Sequence, residues 1–483
     1  METAALIVLL VIVLALFFDF TNGFHDTANA MATPIATGAL KPKTAVLLAA
    51  SLNLVGAFLS TEVAKTVSGG IIREDEISHT LLPALLFAGL IGAITWNMLT
   101  WLLGLPSSSS HALFGGLIGA TMVGFGVSGI NFGVVLSKVI LPALIAPLTA
   151  GVIAFAATKI AYGITRRYDG KPDGRSGFRR GQIFTSSLVA LAHGTNDAQK
   201  TMGIITLALI TVGWQSGAHH EPQLWVIAAC GFTIALGTYI GGWRIIRTLG
   251  KGLTDVKPAQ GFAAESSTAA TILASSALGF ALSTTQVASG SVIGSGLGRR
   301  GSTVRWRTAG RIAMGWLLTL PAAGVVGALA ALLVVWWGGI GVMVDAVLAV
   351  VIVVALYLHS RRDAVTSANA MSDVAASGHA VDLPDTPPPT RRTTRIELMR
   401  ALERAERKAD DAERAARRAK KLKKAGGSPS EVKAARRAAE RAAQKFAEAE
   451  SAAQEWERLS ASRRARARLA EWDLQIDEPE EQR

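Results

Sequence analysis

The chain has 483 residues, half of them hydrophobic and 18% charged, with a net charge of +13 and a mean hydropathy of +0.35. That balance excludes a disordered or fibrous chain. The single cysteine, Cys230, excludes an intrachain disulfide framework and a cysteine-cluster metal site. Charge is unevenly spread: residues 1–360 hold 22 Lys/Arg and 14 Asp/Glu, whereas residues 361–483 hold the remaining 27 and 22. A membrane body therefore precedes a solvated tail. The basic residues sit in loops and in the tail with few aromatics beside them, a pattern that fits a positive-inside membrane protein better than a nucleic-acid surface.

A helix needs about 20 residues to cross about 30 Å of hydrocarbon. Apolar runs of that order lie near 4–40, 44–68, 82–103, 107–127, 132–163, 183–213, 224–243, 259–281, 283–298, 312–336 and 342–359. The run at 4–40 and the one at 183–213 are interrupted by polar residues, and a long interrupted run such as 4–40 is either one span or a span plus a half-helix. Residues 1–18 lack the basic start of a signal peptide and the apolar pattern continues past them, which makes them part of the first span. Lys41 and Lys43, the loop 166–180, the segments 244–257 and 299–311, and Arg361 with Arg362 concentrate positive charge and should be cytoplasmic. The intervening loops near 69–80, 128–131, 214–223 and 337–341 hold one basic residue, Arg73, next to Glu74, Asp75 and Glu76. The expected path has about eleven crossings (10–12), with the N-terminus outside and the tail in the cytoplasm of a cell-membrane protein.

Two segments look alike: Gly23-Phe24-His25-Asp26-Thr27-Ala28-Asn29 and Gly194-Thr195-Asn196-Asp197-Ala198-Gln199-Lys200. Each is followed by a second related block. Pro106-Ser107-Ser108-Ser109-Ser110-His111 precedes Gly115 and Gly119, and Ala281-Leu282-Ser283-Thr284-Thr285-Gln286 precedes Gly290 and Gly294. Asp26 and Asp197 are 171 residues apart, Ser108 and Ser283 175. Two pairs in the same order at nearly one offset argue for duplication. The charge-based path runs the two copies in opposite directions, the inverted repeat of secondary transporters, whose sites form near the midplane.

Asp26 and Asp197 interrupt apolar runs. A carboxylate in hydrocarbon is costly, so it lines a cavity or pairs with another group; the readings are cation or proton coordination at a helix break, or a carboxylate capping a half-helix. His25 beside Asp26 adds a proton carrier near neutral pH. Ser108, Ser109, Ser110 and Ser283, Thr284, Thr285 open apolar helices, where free backbone N–H groups and the positive dipole end favour an oxyanion. Two such cradles facing each other suit a small tetrahedral oxyanion. Lys200 either neutralises part of the anion's charge, stands in for a bound cation, or snorkels. Glu265, in the run before the second hydroxyl cluster, is an asymmetric ion-coupling candidate, because its repeat-mate by offset is Leu90. Asp19, Asn22 and Asn53 are weaker candidates. Gly115, Gly116, Gly119, Gly290 and Gly294 read as close helix contacts, and Asp345 as interfacial.

These blocks, from Asn22 to Ala30 and from His193 to Lys200 with the two hydroxyl segments after them, resemble the duplicated signature of the PiT inorganic phosphate transporters over about residues 1–360. The resemblance implies phosphate uptake by cation symport, an all-α fold of inverted repeats, no cofactor or resident metal, and a homodimer. It adds Thr27 and Asn196 to the anion-binding residues and Asn29 to the ion-coupling ones. The family's common repeat reads Gly-Ala-Asn-Asp-Val-Ala-Asn. His25 in place of its first Asn, and Gln199 and Lys200 at the end of the second copy, make the chain similar to the bacterial low-affinity, proton-coupled branch, which carries phosphate with a divalent metal. Sodium coupling, and sulfate or another oxyanion as cargo, remain alternatives. A remoter one is an intramembrane metal-dependent enzyme using His25/Asp26 and His193/Asp197.

The expected division is a first transmembrane repeat (1–165), a cytoplasmic loop (166–181), a second repeat plus a final span (182–360), a disordered linker (361–394), an antiparallel helical hairpin (395–472) and an acidic end (473–483). In the hairpin, small and apolar residues from Leu398 to Ala419 and from Val432 to Trp456 recur at spacings of three and four, as in a coiled coil. Ser428, Pro429 and Glu431 form a capping box at the turn.

Overall fold

The computed structural model describes residues 2–73, 77–168, 176–218, 220–361, 365–366, 391–425, 428–444 and 446–447. Among these there is no strand, only two isolated bridges. The sequence expectations for Glu74, Asp75 and Glu76, for residues 169–175 of the cytoplasmic loop, for most of the linker, and for the hairpin's far end with Ala449, Ala453 and Trp456 lie outside the described residues. Contacts divide the chain into a unit of residues 1–383 and a unit of residues 384–483.

In the first unit, α1 (Glu2–Ala36), α2 (Pro42–Ala57), α3 (Glu62–Gly70), α4 (Leu81–Leu102) and α5 (Ser109–Gly124) lead to a single turn, α6 (Phe132–Val134), and a π-helical stretch into α7 (Leu141–Tyr168). The second copy comprises α8 (Ser176–Thr211), α9 (Leu224–Ile240), α10 (Trp243–Lys251), α11 (Pro258–Ala277), α12 (Thr284–Gly298) and α13 (Trp306–Trp337), followed by α14 (Gly339–Ser360). Five helices are long and apolar enough to cross a membrane, or seven if the bent pairs α2–α3 (66°) and α9–α10 (70°) each count as one span. α8 and α11 have the length but carry buried polar residues. The eleven apolar runs thus map one to one onto helical segments, with a correction for two of them. α5 and α12 hold 16 and 15 residues, about 24 and 22 Å at 1.5 Å per residue, too short to be the full spans expected at 107–127 and 283–298.

The reason is a hairpin. Bridges and backbone bonds tie Ile72 to Ile130 and Arg73 to Gly129, pinning the start of α4 to the end of α5. Thr254 and Val304, with Arg305 N–H donating to Leu253, do the same for α11 and α12. The two hairpins meet tip to tip: Ser110 Oγ donates to Leu282 O at 2.9 Å, and Gln286 Nε2 lies 3.4 Å from its repeat-mate His111. Each chain turns back in extended form before its short helix, whose first turn is capped by Ser108 (accepting from His111 N–H) or Ser283 (accepting from Gln286 N–H).

A second correction concerns α1 and α8. Both are continuous through the expected breaks. Gly23 and Gly194 mark close approaches instead. A Cβ on Gly23 would stand 2.3 Å from Ile234 O on α9, and one on Gly194 would stand 2.2 Å from Asn53 O on α2. The same crossing therefore occurs in both halves. The glycines read as packing positions behave as such: a Cβ on Gly119 would meet Gly324 O, and one on Gly294 would meet Gly151 O, each at 2.0 Å. Small residues let backbones touch where hydrocarbon gives no hydrophobic drive. Asp345 is buried at 2% exposure in α14, whose start packs against α13 at Gly341.

In the second unit, α15 (Arg391–Lys424) is followed by a helical stretch at 429–444. The capping box at the turn is present: Ser428 N–H and Oγ donate to Glu431 Oε2 at 3.0 and 2.7 Å, and Glu431 N–H donates back. These bonds hold the Glu431 carboxyl below the usual glutamate range. Arg414, Arg418 and Leu422 face Glu431, Ala435 and Ala438 across the groove between the two arms.

Candidate functional site

The middle of α1, the middle of α8 and both hairpin tips converge on one buried polar cluster. Two carboxylates stand at its centre. Asp26 accepts from Ser109 Oγ at 2.8 Å and from Thr285 Oγ1 at 3.2 Å. Asp197 accepts from Thr284 Oγ1 at 2.8 Å, and the same hydroxyl lies 3.4 Å from Asp26 Oδ2. Each acid thus takes hydroxyls from a hairpin tip, and Asp26 takes them from both. The helix N-termini of α5 and α12 point their first turns at this place, where N–H groups lack intrahelical acceptors. The cradles and carboxylates that the two motif pairs predict do come together. Ser108 and Ser283 stand one step back as N-caps.

Three histidine or asparagine side chains hold this arrangement. Adjacent residues on a helix do not normally face each other, yet His25 Nδ1 sits 2.5 Å from Asp26 Oδ1. Its Nε2 lies 3.3 Å from Ser107 and 3.4 Å from Thr100. Asn196, the repeat-mate of His25, grips the other tip, donating to Ser276 Oγ at 2.8 Å and Phe280 O at 3.3 Å. His193 Nε2 is 2.8 Å from Asp197 and 3.9 Å from Asp26, close enough for an ion pair but aligned for a hydrogen bond with neither. One ligand atom from each of Asp26, His193 and Asp197 falls within 4.8 Å of the others, so among the described residues these three form a group able to hold a divalent cation.

The other candidates are placed as follows. Lys200 is 1% exposed and pairs with Asp197. Asn29 donates to Thr285 Oγ1 at 3.0 Å and Thr284 Oγ1 at 3.3 Å. Thr27 turns away, donating to Gly23 O on its own helix and lying 3.3 Å from Thr238 O on α9. Glu265 joins a separate buried cluster with Thr33 (2.5 Å), Thr185 (2.7 Å) and Gln182 (3.0 Å). Thr33 is two turns, about 10 Å, beyond Asp26 along α1. Of the weaker candidates, Asn53 bridges His193 and Thr238, Asp19 accepts from Thr201, and Asn22 is buried near them. Sequence reasoning missed Thr100, Ser107 and Gln199. Gln199 Oε1 accepts from Val63 and Ala64 N–H at the start of α3; its place in the second repeated block carries no signal for that partner.

Two repeated halves, each presenting a buried carboxylate to a hairpin tip, give this all-α membrane protein a duplicated polar centre. The comparisons agree. The sequence profile of the phosphate transporter family matches residues 22–327. A Mycobacterium tuberculosis protein named "Probable low-affinity inorganic phosphate transporter" is 54% identical over 374 residues, 77% of this chain and 88% of that protein. A Bacillus subtilis protein of the same name is 41% identical over 330 residues, 68% of this chain and 98% of that protein. A solved structure described as "The sodium-dependent phosphate transporter" has the same fold, with TM-score 0.60 and 23% identity over 68% of this chain and 98% of that one. The chain belongs to the phosphate transporter family. It is a membrane protein and not an enzyme, which removes the intramembrane hydrolase reading.

Proposed function

We propose that the chain imports inorganic phosphate by cation symport, coupled to protons, at the cluster between α1, α8 and the two hairpin tips. The observation that carries this is Thr284, whose hydroxyl reaches both Asp26 and Asp197 at the N-terminus of a half-helix. An oxyanion drawn to two helix N-termini meets two carboxylates there. Like charges about 4 Å apart repel by several kcal/mol away from bulk water, so the anion enters only with cations that neutralise them. His25 and His193 beside the acids supply proton sites. Asp26, His193 and Asp197 supply a place for a divalent cation travelling with phosphate as cargo. Ser108, Ser109, Ser110, Ser283, Thr284, Thr285 and Asn196 form the anion side of the site, and Lys200, a candidate for that side from sequence, is paired with Asp197. Thr27 belongs to it only through the motif. Asp26, Asp197, His25 and Asn29 form the coupling side, with Glu265 a further coupling carboxylate nearer the basic face.

The same reading puts the N-terminus outside and the tail inside, keeps the division at 1–165, 166–181, 182–360, 361–394, 395–472 and 473–483, and makes the tail a coiled coil in a homodimer. Sodium coupling is the second reading, supported by the name of the structural relative. Substrate identity is tested with purified protein in lipid vesicles. Uptake of radiolabelled phosphate should be suppressed by excess unlabelled phosphate and left nearly intact by excess sulfate. Equal suppression by both would make the cargo a general oxyanion.

A further inference from the structure

We propose that Lys200 is a built-in cation: its ammonium fills, in the second half, the position left for an exchangeable monovalent cation in the first. The proposal rests on the reading of the chain as a cation-coupled carrier. An ammonium has three N–H donors, and all three of Lys200 are taken, by Asp197 Oδ1, Ser110 Oγ at 2.6 Å and the hairpin carbonyl of Leu282 at 2.8 Å. None is left for an anion. A carboxylate, a hydroxyl and a main-chain carbonyl are the oxygen ligands that a hard cation takes, so the ammonium sits in a cation's coordination shell.

The first half has the same shell without the charge. The repeat-mates of Lys200, Asp197 and Ser110 are Asn29, Asp26 and Thr285. Thr285 Oγ1 lies 3.2 Å from Asp26 and accepts from Asn29 Nδ2 at 3.0 Å. Asn29 Oδ1 is buried and has no hydrogen-bond partner among the described residues. That carbonyl, the Asp26 carboxylate and the Thr285 hydroxyl are the oxygen types that Lys200 meets, and among the described residues Asp26 pairs with His25 and His193 and with no lysine or arginine. The two halves are therefore alike in carboxylate and hydroxyl and asymmetric in charge, and the carrier moves one exchangeable cation fewer than two identical halves would.

Lys200→Asn copies the first half into the second and should convert a built-in cation into a borrowed one. In vesicles with choline as the only added cation, its uptake should fall at least about tenfold below the parent's, because Asp197 is left as an uncompensated buried charge. Sodium should restore it saturably, by more than any effect of sodium on the parent. A second readout is independent of cargo. Sodium chloride in place of choline chloride should raise the melting temperature of purified Lys200→Asn by about 2 °C or more beyond its effect on the parent. The charge-balanced pair Asp197→Asn with Lys200→Asn should fold with no larger sodium response than the parent's.

Full activity of Lys200→Asn without sodium would overturn the proposal. So would a folded, inactive Lys200→Asn that no alkali cation stabilises beyond the parent, or a double variant whose sodium response exceeds the parent's. If Lys200→Asn fails to fold, the double variant should recover folding, and its failure to do so would also count against the proposal. Should the parent itself move no phosphate, the functional reading fails, and the melting comparison still decides the role of Lys200.

Discussion

Asp26→Asn is expected to abolish phosphate uptake in a protein that still folds and inserts. The amide has the carboxylate's shape and keeps an oxygen for the Ser109 hydroxyl, which now donates to Asp26 at 2.8 Å. What it loses is the negative charge that balances a cation, and with it the strong partner of His25. Removing one member of a buried charge pair costs about 3–5 kcal/mol; a loss of that size confined to the cation-loaded state slows transport at least about a hundredfold at 1.4 kcal/mol per tenfold. Asp197→Asn should be equally inactive and less stable, since it strands both the Lys200 ammonium and His193. Uptake per inserted molecule, with melting temperature as the folding control, separates the two effects. Near-parental transport by either variant removes that residue from the mechanism.

The second large effect should come from removing one hydroxyl at each tip, Ser109→Ala with Thr284→Ala. Hydrogen bonds to charged groups contribute about 1.5–3 kcal/mol each. These two anchor the two carboxylates from opposite hairpins. Each single variant should weaken phosphate transport roughly tenfold or more, chiefly as a raised KM. Because both hydroxyls serve one cluster, the double variant should depart from the product of the singles. A melting temperature that falls while KM stays at the parental value would show that the hydroxyls only pack the tips together.

The polar geometry explains which features were readable from sequence. Asp26, Asp197, Ser109 and Thr284 were legible because duplication exposes them: a carboxylate block and a hydroxyl block recur in order, and the fold brings all four together. Helix class and the eleven segments followed from apolar runs alone. Backbone continuity did not. A polar residue beside glycine looks the same whether the helix breaks, as expected at Gly23, or passes a neighbour closely, as it does against Ile234. Apolar runs alone did not separate a span from a half-helix at α5 and α12 either. The outward turn of Thr27, the burial of Asp345 and the capping of α3 by Gln199 depend on which neighbour packs where. A single chain's periodicity holds no record of that.

Proton coupling at the carboxylate cluster is the central claim, and the direct measurement is phosphate uptake into sodium-free vesicles under an imposed pH gradient. The account predicts that an inward proton gradient drives accumulation above equilibrium, that a protonophore abolishes it, and that Asp26→Asn shows none. Accumulation that appears only under an inward sodium gradient, and is indifferent to the protonophore, would contradict it.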